Sequence, residues 1–378
     1  MTQRVAIVQR IVPSYRTAVL KSVAQKLSAS GIALTVFAGT ARADEGFEDG
    51  LQELACATRV KNRYLFGNAY WQSVFSTLRG YDLVIVEQAN AALLNYPLLL
   101  SRYVTLRPRR IAYWGHGANL NQKGNYLLNR MKRGLTGAVD HWFAYTQMSA
   151  DLVSATGFPR NRITVLNNSM DVSPVQEMAA EAVRIGREAL RASLGLDGGF
   201  FAVFCARLTP GKRLGFLLEA AEIVHRTHPE FRLIIIGDGS ERELVENFAA
   251  SRSWITFTGT LYGDEKARYL AASDVMVLPS WVGLSILDGF AAGLPVIAAD
   301  MGNHSPEISY LDDGRNGFLT PPTPEAYAAA LSALCADPSM LRAMSESASA
   351  AAERYSISAM VNNFTSGIRA ALPAPQRR

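Results

Sequence analysis

Short apolar runs alternate with longer helical patterns along almost the whole chain, and this alternation limits the fold more than any other feature. Val5–Val8, Ala33–Phe37, Leu83–Glu87, Ile111–Trp114, Trp142–Tyr145 and Ile163–Leu166 read as strands. Helical stretches around Thr17–Ser28, Leu93–Val104 and Tyr126–Leu135 separate most of them. The pattern then restarts, with strands at Phe201–Cys205, Leu233–Ile236, Trp254–Phe257, Val275–Leu278, Val296–Ala299 and Gly317–Leu319. Strand–helix–strand repeats give right-handed crossovers and a parallel sheet covered on both faces. Two such series predict an α/β chain of two doubly wound domains, and 378 residues suffice for two cores.

The break is expected near residues 170–198. Asn167-Asn168-Ser169 closes the first series, Met178–Leu194 is an Ala/Glu/Arg-rich helical stretch, and Leu196-Asp197-Gly198-Gly199 turns into the next strand. The expected domains are residues 1–180 and 181–356. Residues 357–378 form a last helix that returns toward the N-terminal domain and ends in a frayed PAPQRR tail.

Composition narrows the function classes. Hydrophobic residues make up 49% and charged residues 19%, a globular balance. No apolar run approaches the ~20 residues that cross a bilayer, and no secretory leader is expected of the polar-interrupted segment MTQRVAIVQRIVPSYR. Cys56, Cys205 and Cys335 are dispersed and without metal-ligand spacing, which fits a reducing cytoplasm. A net charge of +5 favours anionic partners. Nucleic acid is not expected among them, because no basic run with interleaved aromatics is present.

The second half carries the densest chemistry. Arg207 and Lys212 follow a strand and precede a helix. An Arg fork plus a Lys point charge suits a diphosphate, although solvated loop cations have the same appearance. Gly237-Asp238-Gly239 ends the next strand, where glycines let backbone approach a ligand at the carboxyl edge of a parallel sheet. Pro279-Ser280-Trp281-Val282-Gly283 leads into a helix near Leu284 whose first amides face no acceptor of their own, and Asp288 lies one turn inside. Gly293-Leu294-Pro295 stops that helix.

This series resembles the GT-B glycosyltransferases of the large retaining family 4. The resemblance spans nearly the whole chain and is strongest from Arg207 to Pro321. That segment holds the Arg-x4-Lys pair, Gly-Asp-Gly, Phe257-Thr258-Gly259, Ala-Ser-Asp-Val, Ala-Gly-Leu-Pro-Val, Ser305-Pro306-Glu307-Ile308 and Asn316-Gly317-Phe318. It implies two Rossmann-like domains facing each other across a cleft, with the nucleotide-sugar on the C-terminal one. Donor contacts are then expected at Gly237, Asp238, Gly239, Thr258, Gly259, Ser280, Val282, Gly283, Leu284, Asp288 and Glu307. One departure stands out. The family usually has two glutamates eight positions apart; here Ser280 takes the first place and Asp288, expected to hold the ribose, the second. The amides of Val282, Gly283 and Leu284 are expected to carry more of the sugar and diphosphate recognition.

In the first half, Tyr15 and Arg16 match the family's acceptor loop, while the glycine-rich loop of some members is missing. Glu87 ends a strand within reach of the cleft. His116, between Gly115 and Gly117, is expected at the reacting end beside Arg207 and Lys212. The implied reaction retains the anomeric configuration, with leaving charge stabilised by those cations and no protein nucleophile, metal or cofactor. The expected acceptor is a glycan or lipid-linked glycan in cell-surface polysaccharide or glycolipid synthesis. Competing readings are a GT-B epimerase and a non-catalytic nucleotide-sugar-binding protein, the latter kept open by Ser280. Peripheral binding to an anionic membrane is expected from Arg102, Arg107, Arg109 and Arg110, and from Lys123, Arg130, Lys132 and Arg133 interleaved with Tyr126, Leu127, Leu128 and Met131.

Overall fold

A computed structural model describes residues 2–374 apart from 43, 44, 46–48, 66, 105–107 and 118–136, and apart from the side chains of Arg102 and Tyr103. The chain divides into two units, Met1–Asp171 with Ser356–Arg378, and Val172–Tyr355.

In the first unit the strands are β1 (Gln3–Ile11), β2 (Ile32–Gly39), β3 (Ala57–Arg59), β4 (Asn62–Tyr64), β5 (Tyr70–Gln72), β6 (Leu83–Glu87), β7 (Arg110–Gly115), β8 (His141–Ala144) and β9 (Ile163–Val165). Seven form a sheet in the order β3-β2-β1-β6-β7-β8-β9, and β4 and β5 make a separate antiparallel hairpin. The pairings within the seven-stranded sheet are parallel. Alternation along each strand sends neighbours to opposite faces. Val5, Ile7, Leu83, Ile85, Ala112, Trp114 and Phe143 join one core, and Ala6, Val8, Val84, Val86, Ile111, Tyr113 and Trp142 the other. The helix Ser14–Ser28 and the last helix, Ile357–Ala371, cover the first face together. Phe364 of the last helix packs edge-on to Trp114, ring centres 4.9 Å apart, and Asn363 donates to the Leu166 carbonyl at 3.2 Å.

The second unit has β10 (Phe200–Cys205), β11 (Phe231–Ile236), β12 (Ile255–Gly259), β13 (Val275–Leu278), β14 (Val296–Ala299) and β15 (Gly317–Thr320). They form a parallel sheet in the order β12-β11-β10-β13-β14-β15. Each sheet winds outward from a central strand in both directions, as expected of doubly wound α/β domains.

The break, between Asp171 and Val172, falls within the expected window of 170–198 and before the bound set at residue 180. The helix Ser173–Ile185 belongs to the second unit, where it packs against the helix Gly263–Ala272 and buries Val175 and Ala182. The expected single helical stretch 178–194 is divided by Gly186 (φ 88°), after which a second helix spans Arg187–Ser193. That second helix is anchored by a buried ion pair. Arg191 donates to Asp274 at 2.7 Å, and Asp274 also accepts the Phe201 backbone N–H at 2.8 Å. The Asp of Ala-Ser-Asp-Val is thus structural. So is Asn316, whose side chain bridges the Tyr310 carbonyl and the Asp312 amide. The hairpin of β4 and β5 was not expected. The predicted helix at Tyr126–Leu135 lies outside the described residues.

Candidate functional site

Two loops at the carboxyl ends of β10 and β11 interlock in the second unit. Leu208 donates its amide to the Asp238 carbonyl at 2.9 Å, and Glu241 returns an N–H to the Leu208 carbonyl at 3.0 Å. The loops pass so closely that only glycine fits. Gly237 has φ 143° and Gly239 φ 156°, and a Cβ on either would lie 2.0 Å from the Ala206 oxygen or 2.2 Å from the Leu208 oxygen. A cavity of about 710 Å³ opens above them. Its walls include Cys205, Arg207, Thr209, Gly237–Ser240 and Thr260–Tyr262.

The predicted donor residues divide by what they already bind. The exposed guanidinium of Arg207 lines the cavity and has no partner among the described residues, so its charge is free for a ligand. Lys212 does not line the cavity; its ammonium makes a long 3.5 Å contact to the Trp281 carbonyl, and burial lowers its pKa. Asp238 is engaged, accepting from the Gly239 amide at 2.7 Å and from Arg242 at 2.8 Å. The Thr258 hydroxyl is spent on the Ile235 and Gly259 carbonyls, and Gly259 accepts the Gly237 amide at 2.8 Å. Ser280 and Glu307 are buried, Glu307 in the short turn Pro306–Tyr310.

The loop before the helix Ser285–Ala291 corrects one expectation. The Val282 amide is not free for a sugar or phosphate, because it meets His304 Nδ1 at 3.2 Å while the Val282 carbonyl accepts the Ser305 amide at 3.1 Å. Gly283 and Leu284 do keep amides without a protein acceptor among the described residues. His304 is buried, and burial lowers its pKa, which favours the neutral ring able to accept an amide N–H; the Met301 amide lies 3.2 Å from its other nitrogen. Asp288 is buried and holds both oxygens on Lys266, at 3.0 and 3.1 Å. Burial raises its pKa and the Lys266 charge opposes the rise. Cys205 feels both partners: burial and then the Asp288 charge push its thiol up to about 12, with Lys266 opposing.

Lys266 and His304 were not singled out from sequence. Lys266 sits in an ordinary polar helix, and nothing in its spacing marks it. His304 did carry the signal that marked His116, a lone histidine in a loop after a strand end.

In the first unit the predicted residues form a second constellation. One residue beyond the Val8–Val86 pair, Gln9 and Glu87 continue the row, and Glu87 stands beside Trp114. Arg16 covers this row from the first turn of its helix. It is buried, lies 4.7 Å over the Trp114 ring and donates to the Tyr145 hydroxyl at 3.2 Å. Glu87 accepts the Arg10 amide at 3.2 Å, and burial raises its pKa against that bond and the Arg16 charge. His116 packs on Tyr145 with ring centres 4.4 Å apart. The close packing around its ring, then the Arg16 charge, lower its pKa to about 4, although part of the ring stays exposed. Tyr15 is exposed, whereas Arg16 is not the solvent-facing contact that an acceptor loop suggests. The side-chain nitrogen and oxygen of Gln9, Arg16 Nε and Trp114 Nε1 are buried without a hydrogen-bond partner among the described residues.

Of the cations expected to face a membrane, Arg109 pairs with Asp82 at 3.5 Å and Arg110 with Asp140 at 2.9 Å. The side chain of Arg102, and Arg107, Lys123, Tyr126, Leu127, Leu128, Arg130, Met131, Lys132 and Arg133, lie outside the described residues. No helix among the described residues is long and apolar enough to cross a membrane.

Two family models match the chain, one described as glycosyltransferase family 4 over residues 17–174 and one as glycosyl transferases group 1 over residues 199–337. A sulfoquinovosyl transferase of Arabidopsis thaliana is 31% identical over 46% of this chain and 32% of its own length. A D-inositol 3-phosphate glycosyltransferase of Streptomyces bingchenggensis is 30% identical over 58% of this chain and 50% of its own. The matches thus span between a third and a half of these curated relatives. Among solved structures, Anabaena HepE in complex with UDP superposes with a TM-score of 0.70 at 19% identity, covering 97% of this chain and all of that one. A glycosyltransferase from Rickettsia africae gives 0.74 at 15% identity, covering 99% and 100%. At these identities the likeness establishes the fold, GT-B.

Proposed function

We propose that this chain, which belongs to the group 1 glycosyltransferases of family 4, transfers a sugar from a nucleotide-diphosphate donor held on its second unit. The observation that supports this most is the cavity above Gly237 and Gly239, with the Arg207 guanidinium, unpartnered among the described residues, in its wall. A diphosphate brings the countercharge that such a cation lacks, and glycine backbone lets it approach closely. Lys212, whose burial already disfavours its lone charge, gains from the same anion. These two cations take the part that a divalent ion plays in other transferases, so the proposed reaction needs no metal or cofactor. The acceptor hydroxyl attacks on the face that the diphosphate leaves, retaining the anomeric configuration. Catalysis is then charge stabilisation and positioning. A neutral His116 on the first unit suits a contact to sugar or acceptor hydroxyls, since it offers both a donor and an acceptor.

The proposed acceptor is a glycan or a lipid-linked glycan. A non-catalytic donor-binding role is favoured by one feature only, the serine at position 280 where the family resemblance implies a carboxylate. One experiment separates the two. The protein is incubated with UDP-, GDP- and ADP-sugars, with and without an acceptor extract, and free nucleoside diphosphate is measured. Transfer predicts release that depends on the extract; a pure binder releases none under any combination.

A further inference from the structure

Resting on that reading of the second unit, the pairing of Asp288 with Lys266 points to a residue outside the resemblance. The helix Ser285–Ala291 is pressed onto β13 and β14 at Gly289, where a Cβ would meet Met276 Sδ at 2.8 Å. Close seating there fixes Asp288 with its side chain only 10% exposed. A buried carboxylate without a partner costs several kcal/mol and takes up a proton instead. Lys266 removes that cost from another helix, Gly263–Ala272, which opens directly after the cavity-wall residue Tyr262. Its ammonium meets both carboxylate oxygens. The pair also lies within electrostatic reach of Cys205, another wall residue. It therefore stands beside the cavity, and Asp288 is the residue that the resemblance implies for the ribose.

We propose that Lys266 is a positioning residue for the donor ribose, holding the Asp288 carboxylate ionised and aimed so that the ribose hydroxyls meet an anchored acceptor. Aspartate is one methylene shorter than the glutamate that the resemblance implies here, and a bidentate ammonium fixes where its oxygens lie. Two charged or titratable groups near Asp288 are identified among the described residues, Lys266 and Cys205. The thiol is neutral at ordinary pH, so the lysine alone opposes protonation. Without Lys266 the carboxyl pKa rises further. As pH falls the acid form then appears, with one acceptor oxygen turned into a donor.

The test first selects, from UDP, GDP and ADP, the nucleotide that binds the full chain most tightly by calorimetry. If none binds, the donor reading itself fails, whatever the role of Lys266. With that nucleotide, affinity is compared with its 2′-deoxy counterpart at about pH 6 and about pH 8, near the ionisation range of a perturbed carboxyl. The wild type should prefer the ribose form about tenfold or more, as expected for hydrogen bonds to a charged group, with little change between the two pH values. Lys266→Met should lose most of that preference at the lower pH and regain part of it at the higher, with deoxynucleotide affinity nearly unchanged. Lys266→Arg should restore a flat profile. Lys266→Gln serves if the methionine variant does not fold, with the same expected pH dependence. The proposal is overturned if the wild type shows no ribose preference, or if the neutral variants weaken both nucleotides equally. A neutral variant whose preference stays as large and as flat as that of the wild type overturns it as well.

Discussion

The two units share a sheet topology but build their polar clusters in opposite ways. The second unit presents backbone: glycines pressed against a neighbouring loop, amides at Gly283 and Leu284 and a cation at the rim of a cavity, these last without partners among the described residues. The first unit presents side chains that already hold one another, with Arg16 covering Trp114, bonded to Tyr145 and beside Glu87. A backbone site tolerates few substitutions and recognises groups common to many ligands, such as phosphate. A site made of interlocking side chains can be rebuilt by changing residues. On the proposed function, the first kind of site suits a donor common to many transferases and the second a particular acceptor.

The largest expected effect falls on the backbone site. Gly237→Ala combines a positive φ with a 2.0 Å approach to the Ala206 oxygen. It should cost on the order of 3 kcal/mol and abolish nucleotide binding. Thermal unfolding and calorimetry check this. Unchanged melting and binding would show that the two loops can part without consequence, and the contrast between the units would be lost.

An acid-dependent term of similar size belongs to the first unit. His141 is buried beside Thr164, and burial, then the Arg162 charge, lower its pKa to about 4, with Asp140 opposing. The folded form therefore binds fewer protons than the unfolded one. Its stabilisation is complete above the ordinary histidine value of about 6.5 and is lost as pH falls toward the native value, on the order of 3 kcal/mol in all. Melting followed from about pH 7 to about pH 4 should show this loss in the wild type and much less of it in His141→Gln. Equal acid sensitivity in both would remove His141 from the account.

Much of this was legible in sequence because its causes are local. Parallel strands buried on both faces read as continuous apolar runs, so Leu83–Glu87, Val275–Leu278 and Val296–Ala299 match their expected bounds. Gly-Asp-Gly was visible because glycine alone accepts that conformation. Lys266, His304 and the row of Gln9, Glu87 and Trp114 were not read as clusters, since each depends on strand register or on a partner far along the chain. Where the boundary falls inside its expected window follows the same rule: Val175 and Ala182 are apolar in any helix, and only the packing against Gly263–Ala272 decides which unit owns them.

Smaller effects sharpen the comparison. His116→Ala should lower turnover about tenfold and leave donor affinity nearly unchanged, because a contact made only at the reacting end acts on the transition state. Equal loss in both would place His116 among groups that bind the donor ground state. The smallest effect is expected at a membrane. Arg109 and Arg110 are paired within their unit and contribute little. Charge reversal at Lys132 and Arg133 should reduce, by about 1 kcal/mol per cation, any sedimentation with anionic liposomes at low salt. A protein that stays in the supernatant with every lipid and salt points to a soluble acceptor.

The central claim is that the second unit carries a nucleotide-sugar on Arg207 and Lys212, and nucleotide titration of the wild type against Arg207→Ala with Lys212→Ala tests it most directly. One of UDP, GDP or ADP should bind the wild type and raise its stability by about 2.7 kcal/mol at a hundredfold excess over Kd. The double variant, still folded, should lose about 1.5–3 kcal/mol of affinity for each charge-assisted contact removed. A wild type that binds none of the three, or a double variant that binds as tightly as the wild type, would contradict it.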